Sequence, residues 1–72
     1  MKEIEIKTFK QVKSIVDAAS LCEKEVNVKD AKGSLADAKS ILGMMNLDYS
    51  NPVVLMGDDP KEIETVYQSI LQ

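Results

Sequence analysis

The side chains that could carry chemistry in this chain are hydroxyls and a thiol, because its 72 residues include no histidine. The absence of imidazole excludes histidine acid–base catalysis, most zinc sites and phosphohistidine chemistry. Ser40 stands directly before the apolar segment ILGMM, Thr8 stands before FKQV, and Cys22 is the one cysteine. No pattern combines an activated nucleophile, a base and a metal site. We therefore expect a protein that is not an enzyme and uses no cofactor and no metal.

Ser40 is the hydroxyl with the most informative position, at the start of a short helix predicted over residues 40–47. A serine there accepts a hydrogen bond from a backbone N–H and so caps the helix. The same position suits a phosphate, because its negative charge meets free N–H groups and the positive end of the helix dipole. Lys39 is adjacent and adds a positive charge. Helix capping alone and regulatory phosphorylation both remain open for Ser40.

The other candidate groups have simpler structural explanations. Thr8 is followed three residues later by Gln11, which is the pattern of a capping box at a helix start. Cys22 continues the apolar stripe of that helix, so we expect a buried, unreactive thiol. Asp58 and Asp59 precede a proline, which is typical of a helix start and lacks the spaced acids of a calcium loop.

Composition and charge limit the classes of partner. The chain is long enough for one domain, residues 1–72, and its net charge is −3. All nine basic residues are lysines, so the bidentate arginine contacts that recognise phosphate and guanine are absent. We expect neither a nucleic-acid partner nor a membrane partner. One cysteine forms no intramolecular disulfide and no segment resembles a signal peptide, which favours a cytoplasmic protein.

The hydrophobic pattern predicts seven elements in the order β-α-β-β-α-β-α. The predicted strands are KEIEIKT, EVNVK, SLAD and VVLM, and DAKG forms the turn between the middle two. The first helix begins at Thr8, and the third begins at Asp59, with Glu62 completing a second capping box. The apolar stripe of the first helix consists of Phe9, Val12, Ile15, Val16, Ala19 and Cys22. We expect an α+β domain with helices on one face of an antiparallel sheet.

The strand VVLM, residues 53–56, differs from the others because it is apolar on both faces. The first strand, by contrast, alternates apolar and polar residues, as expected for a sheet with one solvated face. Either Val53 and Leu55 or Val54 and Met56 must therefore remain on the open face of the sheet.

The segment AKSILGMMNL, residues 38–47, resembles HPr, the small phosphocarrier of the bacterial sugar phosphotransferase system. The second helix of that family typically reads KSIMGVMSL, and EVNV resembles its second strand. The matching positions in the helix are Lys39, Ser40, Ile41, Gly43, Met45 and Leu47. The resemblance implies an open-faced β-sandwich with a four-stranded sheet of order 1-4-2-3. Another small ferredoxin-like α+β sandwich is the alternative fold.

The chain departs from this family at the carrier site. The carrier histidine of the family lies between the first strand and the first helix, in a Gly-x-His-Ala-Arg-Pro stretch, where this chain reads KTFKQ. Thr8 is the nearest aligned residue, and a threonine phosphoester is too stable to hand a phosphate to another protein. The resemblance therefore implies a relative without the carrier function.

The resemblance also implies a regulatory site and a docking surface. In HPr proteins of low-GC Gram-positive bacteria, the serine at the position of Ser40 is phosphorylated by an ATP-dependent kinase. The second helix and the start of the first form the docking surface of the family, so an HPr kinase or a transcriptional regulator is the implied partner. We expect Leu42 and Met44 to lie in the core. The expected docking residues are Lys39, Ile41, Met45, Leu47, Lys10 and Lys13.

Three functions are therefore compatible with the sequence. The first is a regulatory protein-binding module that docks through the second helix and is switched by phosphorylation at Ser40. The second is a self-associating adaptor or structural domain, a monomer or weak homodimer, with no link to sugar transport. The third is a phosphocarrier, which the missing histidine disfavours.

Overall fold

The elements of the protein follow one another in the predicted order in the computed structural model, which describes residues 1–71. The strands are β1 (Lys2–Ile4), β2 (Val26–Lys29), β3 (Leu35–Asp37) and β4 (Val53–Gly57), and the helices are α1 (Phe9–Ala19), α2 (Ile41–Met45) and α3 (Pro60–Ser69). The strands form an antiparallel sheet of order β1-β4-β2-β3. The predicted α+β fold and its sheet order are confirmed, although β1 and α2 are each shorter than expected.

Apolar side chains from one face of the sheet meet the apolar faces of the helices. In β2, Val26 and Val28 are fully buried, whereas Asn27 is half-buried and Lys29 is exposed on the other face. The remaining core members are Ile4, Ile6, Val12, Ile15, Ala19, Ala36, Ala38, Met44, Leu47, Val53, Leu55, Ile63 and Val66.

The strand that is apolar on both faces, β4, lies in the interior of the sheet between β1 and β2. Val53 and Leu55 are fully buried in the core. Val54 and Met56 are therefore the pair left on the open face, where both are half-buried.

Both long helices begin with the predicted caps. The Thr8 hydroxyl oxygen accepts a hydrogen bond from the Gln11 N–H at 3.3 Å, and the Gln11 side chain accepts one from the Thr8 N–H at 3.1 Å. This reciprocal pair is the capping box expected at the start of α1. At α3, the Asp59 carboxylate accepts from the Lys61 N–H at 3.0 Å.

The predicted second capping box, with Glu62, is wrong. The Glu62 carboxylate instead accepts hydrogen bonds from the N–H groups of Glu23 and Lys24, at 2.7 and 3.0 Å. These two N–H groups lie in the loop after α1, outside any helix or strand, and need an acceptor from elsewhere. Glu62 therefore joins the start of α3 to the loop between α1 and β2.

A second carboxylate, that of Asp30, organises the turn between β2 and β3. Asp30 is only 6% exposed. One of its oxygens accepts from the N–H groups of Lys32 and Ser34, and the other accepts from the N–H of Asp48 at 3.0 Å. Gly33 supplies the positive φ of 90° that the turn requires. The Asp30 carboxylate thereby holds the loop after α2 against the β2–β3 turn.

Gly57, at the end of β4, should not tolerate a side chain. A Cβ there would lie 2.5 Å from the Glu25 carbonyl oxygen and 2.7 Å from the Ile63 Cδ1. We expect Gly57→Ala to lower the free energy of unfolding by about 1–3 kcal/mol, measured by urea denaturation, because such overpacking displaces backbone. Ala31→Gly, in the exposed turn, is the control and should cost less. An unchanged urea midpoint for Gly57→Ala would contradict the packing described here.

Acid should destabilise the fold through Asp30 and Asp48. Hydrogen bonds from Ser50 lower the pKa of Asp48 to about 2, and the Asp48 N–H is the main cause that lowers the pKa of Asp30. Each carboxylate stabilises the folded state above its unfolded pKa, roughly 3.9, and loses that contribution as the pH falls through its folded pKa. We expect a melting temperature that is constant from roughly pH 8 to pH 5 and falls between about pH 4 and pH 2.

The variant Asp48→Asn tests this assignment in thermal melts followed by circular dichroism. Its melting temperature should fall less steeply than that of the wild type over the acid range. Asp17→Asn, at an exposed position of α1, is the matched control and should keep the wild-type slope. Equal slopes for Asp48→Asn and the wild type would refute the role of this carboxylate.

Candidate protein-docking surface

An open cleft lies between the start of α1 and the end of α2. Its volume is about 380 Å³. We call it the α1–α2 cleft, and it is lined by Ile6, Lys7, Thr8, Phe9, Val12, Met45 and Tyr49. Its walls are mostly apolar, and a lysine stands at its edge.

The α1 wall of the cleft is set by the capping box. Because Thr8 caps the helix, Phe9 becomes its first helical residue. Phe9 is 57% exposed, so its predicted place in the buried stripe is wrong. The stripe reaches the core from the second turn onward, where Val12 and Ile15 are buried. The first turn of α1 thus presents an aromatic ring to solvent beside the cleft.

The α2 wall corrects two of the sequence predictions. Leu42, expected in the core, is 74% exposed, and Leu47, expected on the docking surface, is buried at 8% exposure. Ile41, also expected on the docking surface, is half-buried and packs against the core. Residues three apart lie on the same side of a helix, which places Ile41 and Met44 together on the core side of α2. Met44 is fully buried, as predicted, and Met45 is 56% exposed.

The helices α1 and α2 run in opposite directions. Met45, at the end of α2, shares the cleft with Phe9, at the start of α1. At the other end, the Lys39 ammonium donates a hydrogen bond to the Cys22 carbonyl oxygen at 3.1 Å. Lys39 is therefore engaged just beyond the end of α1, and the structure does not bring it together with Lys10.

Three lysines stand around the start of α1. Lys7, Lys10 and Lys13 are all exposed, and no acidic residue lies between them. Within residues 1–71, the ion pairs belong to other lysines, Lys2 and Lys32. Lys13 lies four residues after Phe9 and so shares its side of the helix. Of these three lysines, Lys7 lines the α1–α2 cleft, whereas Lys10 lines a separate depression with Ser14 of α1 and Ser69 of α3.

Ser40 occupies the cap position predicted for it. Its hydroxyl oxygen accepts a hydrogen bond from the Gly43 N–H at 3.1 Å, and the residue is exposed. Behind it, the Asp37 carboxylate accepts from the Lys39 N–H at 2.9 Å. The capping role is confirmed, and the hydroxyl remains at the surface of the protein.

Tyr49 is a cleft residue that the sequence did not single out. Its hydroxyl donates a hydrogen bond to the Met44 carbonyl oxygen, and burial raises the pKa of the phenol. The residue type alone could have predicted its place, because a tyrosine ring is apolar and its hydroxyl is polar, which suits the edge of a core. Tyr49 fastens the end of α2 to the loop that follows it.

The remaining candidates take no part in the cleft. Cys22 is half-buried rather than fully buried, and burial, followed by the negative charge of Glu62, raises the pKa of its thiol. Asp59 serves as the cap of α3. Among residues 1–71, no three histidine, cysteine, aspartate or glutamate side chains gather as metal ligands do.

The longest helix, α1, spans 11 residues, and no helix in the part of the chain described here has the length and apolar character of a membrane span. Comparison of the chain with family models, with curated proteins and with solved structures gives no match.

The Tyr49 hydroxyl should contribute measurably to stability. Tyr49→Phe keeps the ring and leaves the Met44 carbonyl without its donor, so we expect the free energy of unfolding to fall by about 1 kcal/mol. Tyr67→Phe, whose ring lies under the Lys2 ammonium at 4.9 Å, is the matched control and should change it by less than about 0.5 kcal/mol. Urea denaturation measures both. Equal effects of the two variants would refute the role of the Tyr49 bond.

Proposed function

We propose that this chain is a regulatory protein-binding module of HPr-like type that docks partners through the α1–α2 cleft and is switched by phosphorylation at Ser40. The observation that carries the proposal is the convergence of Phe9 and Met45, each more than half exposed, on one cleft that Lys7 also lines.

The apolar part of this surface supports a docking role. Large apolar side chains that are exposed together, rather than scattered, are typical of sites that bury them against a partner. A cleft of about 380 Å³ accommodates a single large side chain from that partner. Met45 adds adaptability, because the unbranched methionine side chain repacks against differently shaped surfaces.

The charges around the cleft favour an acidic partner. Lys7 lines the cleft and Lys13 shares Phe9's side of α1, while one carboxylate, that of Glu5, lies beside Lys7 and Tyr49. Rim charges of this kind raise the rate of association with a surface of opposite sign and suppress wrong partners. A partner with an apolar anchor surrounded by carboxylates fits this surface best.

The resemblance to HPr supports the family assignment within the proposal. The sheet order β1-β4-β2-β3 agrees with the order that the resemblance implies. Thr8, at the carrier position, is occupied as a helix cap and has no histidine beside it. We therefore propose a module that receives or transmits a signal and does not pass on a phosphate.

A phosphate on Ser40 would change the charge pattern of the surface. It would add roughly two negative charges where the hydroxyl now accepts from the Gly43 N–H. The lysines around Phe9 lie at the opposite end of the paired helices. The phosphorylated surface would be positive at one end and negative at the other, and so would select a different partner from the unmodified surface.

Intact mass spectrometry after incubation with ATP and a Gram-positive HPr kinase tests the switch. We expect a gain of one phosphate in the wild type and none in Ser40→Ala. Phosphoenolpyruvate with Enzyme I should add no phosphate, because the carrier histidine is absent. No gain with the kinase would reduce Ser40 to a helix cap and refute the regulatory part of the proposal.

The docking surface is tested with the same kinase as the partner. We expect Phe9→Ser and Met45→Ser each to lower kcat/KM for phosphorylation of Ser40 about tenfold, which corresponds to losing one well-placed apolar contact. Leu71→Ser is the matched control, because Leu71 is 58% exposed after α3, lies outside the cleft and should leave the rate unchanged. Equal rates for Met45→Ser, Phe9→Ser and the control would refute docking through the cleft.

A further inference from the structure

The open face of the sheet carries an ordered row of side chains across all of its strands. In register, the row reads Glu3 on β1, Val54 on β4, Lys29 on β2 and Leu35 on β3. The acid and the base therefore flank the apolar residue, one on each side, at the distance of one strand.

A second apolar residue extends this row along β4. Met56 lies two residues after Val54 and so points to the same face. The residue opposite Met56 on β2 is Asn27. A solvated sheet face normally carries polar side chains at its interior positions, and β4 departs from that pattern at both of them.

We propose that the open face binds a second copy of this chain, face to face, about a two-fold axis that runs parallel to β4. In this arrangement Val54 and Met56 each pack against the same residue of the other copy. Glu3 of each copy faces Lys29 of the other, because the two residues lie at equal distances on opposite sides of β4.

Two two-fold axes in the plane of the interface are possible, one parallel and one perpendicular to β4, and the charges favour the parallel one. A two-fold axis perpendicular to β4 would place Glu3 against Glu3 and Lys29 against Lys29, and like charges in contact repel. Sheets packed face to face lie roughly 10 Å apart, a gap that glutamate and lysine side chains span together. The interface is thus isologous and closed, and it produces a dimer rather than a fibre.

The size of the face makes this a weak dimer. The face is formed by four strands of only three to five residues each, which is small beside the roughly 800 Å² per partner that a standard stable interface buries. We expect a dissociation constant on the order of 100 μM at low salt, rising with ionic strength because two ion pairs are involved. The α1–α2 cleft lies on the helical side of the sheet and stays free in the dimer, so this inference and the proposed docking function are tested separately.

Sedimentation equilibrium up to a protein concentration of about 1 mM measures the association. We expect Glu3→Lys and Lys29→Glu each to weaken the dimer about tenfold, and the double variant, which restores both pairs, to return to within about threefold of the wild type. Val54→Thr keeps the β-branched shape and should also weaken the dimer. Asp17→Lys and Lys61→Glu change the net charge by the same amounts at exposed helical positions and should have no such effect.

Three results would overturn the inference. The first is a wild type that stays monomeric throughout the concentration range. The second is a double variant that associates no better than the single variants, since the ion pairs would then not be the ones described. The third is a dimer that survives Val54→Thr and is lost in Phe9→Ser, which would place self-association in the α1–α2 cleft instead.

Discussion

A single apolar layer between one face of the sheet and the helices stabilises this fold. The rest of the structure depends on how few apolar side chains that layer can bury. A chain of 72 residues forms one core, and it buries a smaller fraction of its surface than a larger domain does. Apolar side chains that do not fit into the layer must remain at the surface. Two pairs of these side chains lie together: Phe9 and Met45 line one cleft, and the half-buried Val54 and Met56 share one strand on the open face.

Two carboxylates connect the loops that this thin core cannot fix by packing. Asp30 binds N–H groups on both sides of the gap between the β2–β3 turn and the loop after α2. Glu62, at the start of α3, accepts from two N–H groups of the loop after α1. Charge-assisted hydrogen bonds to backbone N–H groups are stronger than neutral ones, which suits them to loops with few buried apolar contacts. Asp30 thereby holds the loop after α2, and Glu62 holds the start of α3.

Local pattern was sufficient to predict the element order, the caps at Thr8, Ser40 and Asp59 and the turn glycine Gly33, because each depends on residues within four positions of one another. The sheet order came from the resemblance to HPr and not from the pattern. Glu62 was misassigned because its partners lie 38 and 39 residues away, and sequence spacing carries no information about such a contact.

The candidate site was predicted in part. Ser40, Met45, Lys10 and Lys13 are exposed, as a docking role requires, whereas Leu47 is buried. A helix of five residues has too few turns for its apolar spacing to show which side faces the core. Leu42 was therefore predicted in the core and Leu47 on the surface, and the structure has the reverse. Phe9 was misplaced for a different reason: the periodicity of α1 was correct, but the core does not extend under its first turn.

The strand order also limits how much of the sheet can form while the chain is being synthesised. The sheet places β4 between β1 and β2, although β4 is translated after both of them and after α1, β3 and α2. Until β4 has been made, a nascent chain can pair β2 only with β3, and β1 has no neighbour to bind. Pairing across long stretches of sequence is slow to nucleate because the intervening chain must first be ordered. Strand pairing in the nascent chain is therefore limited to β2 with β3 until residues 53–57 have left the exit tunnel, and the complete sheet assembles only after that.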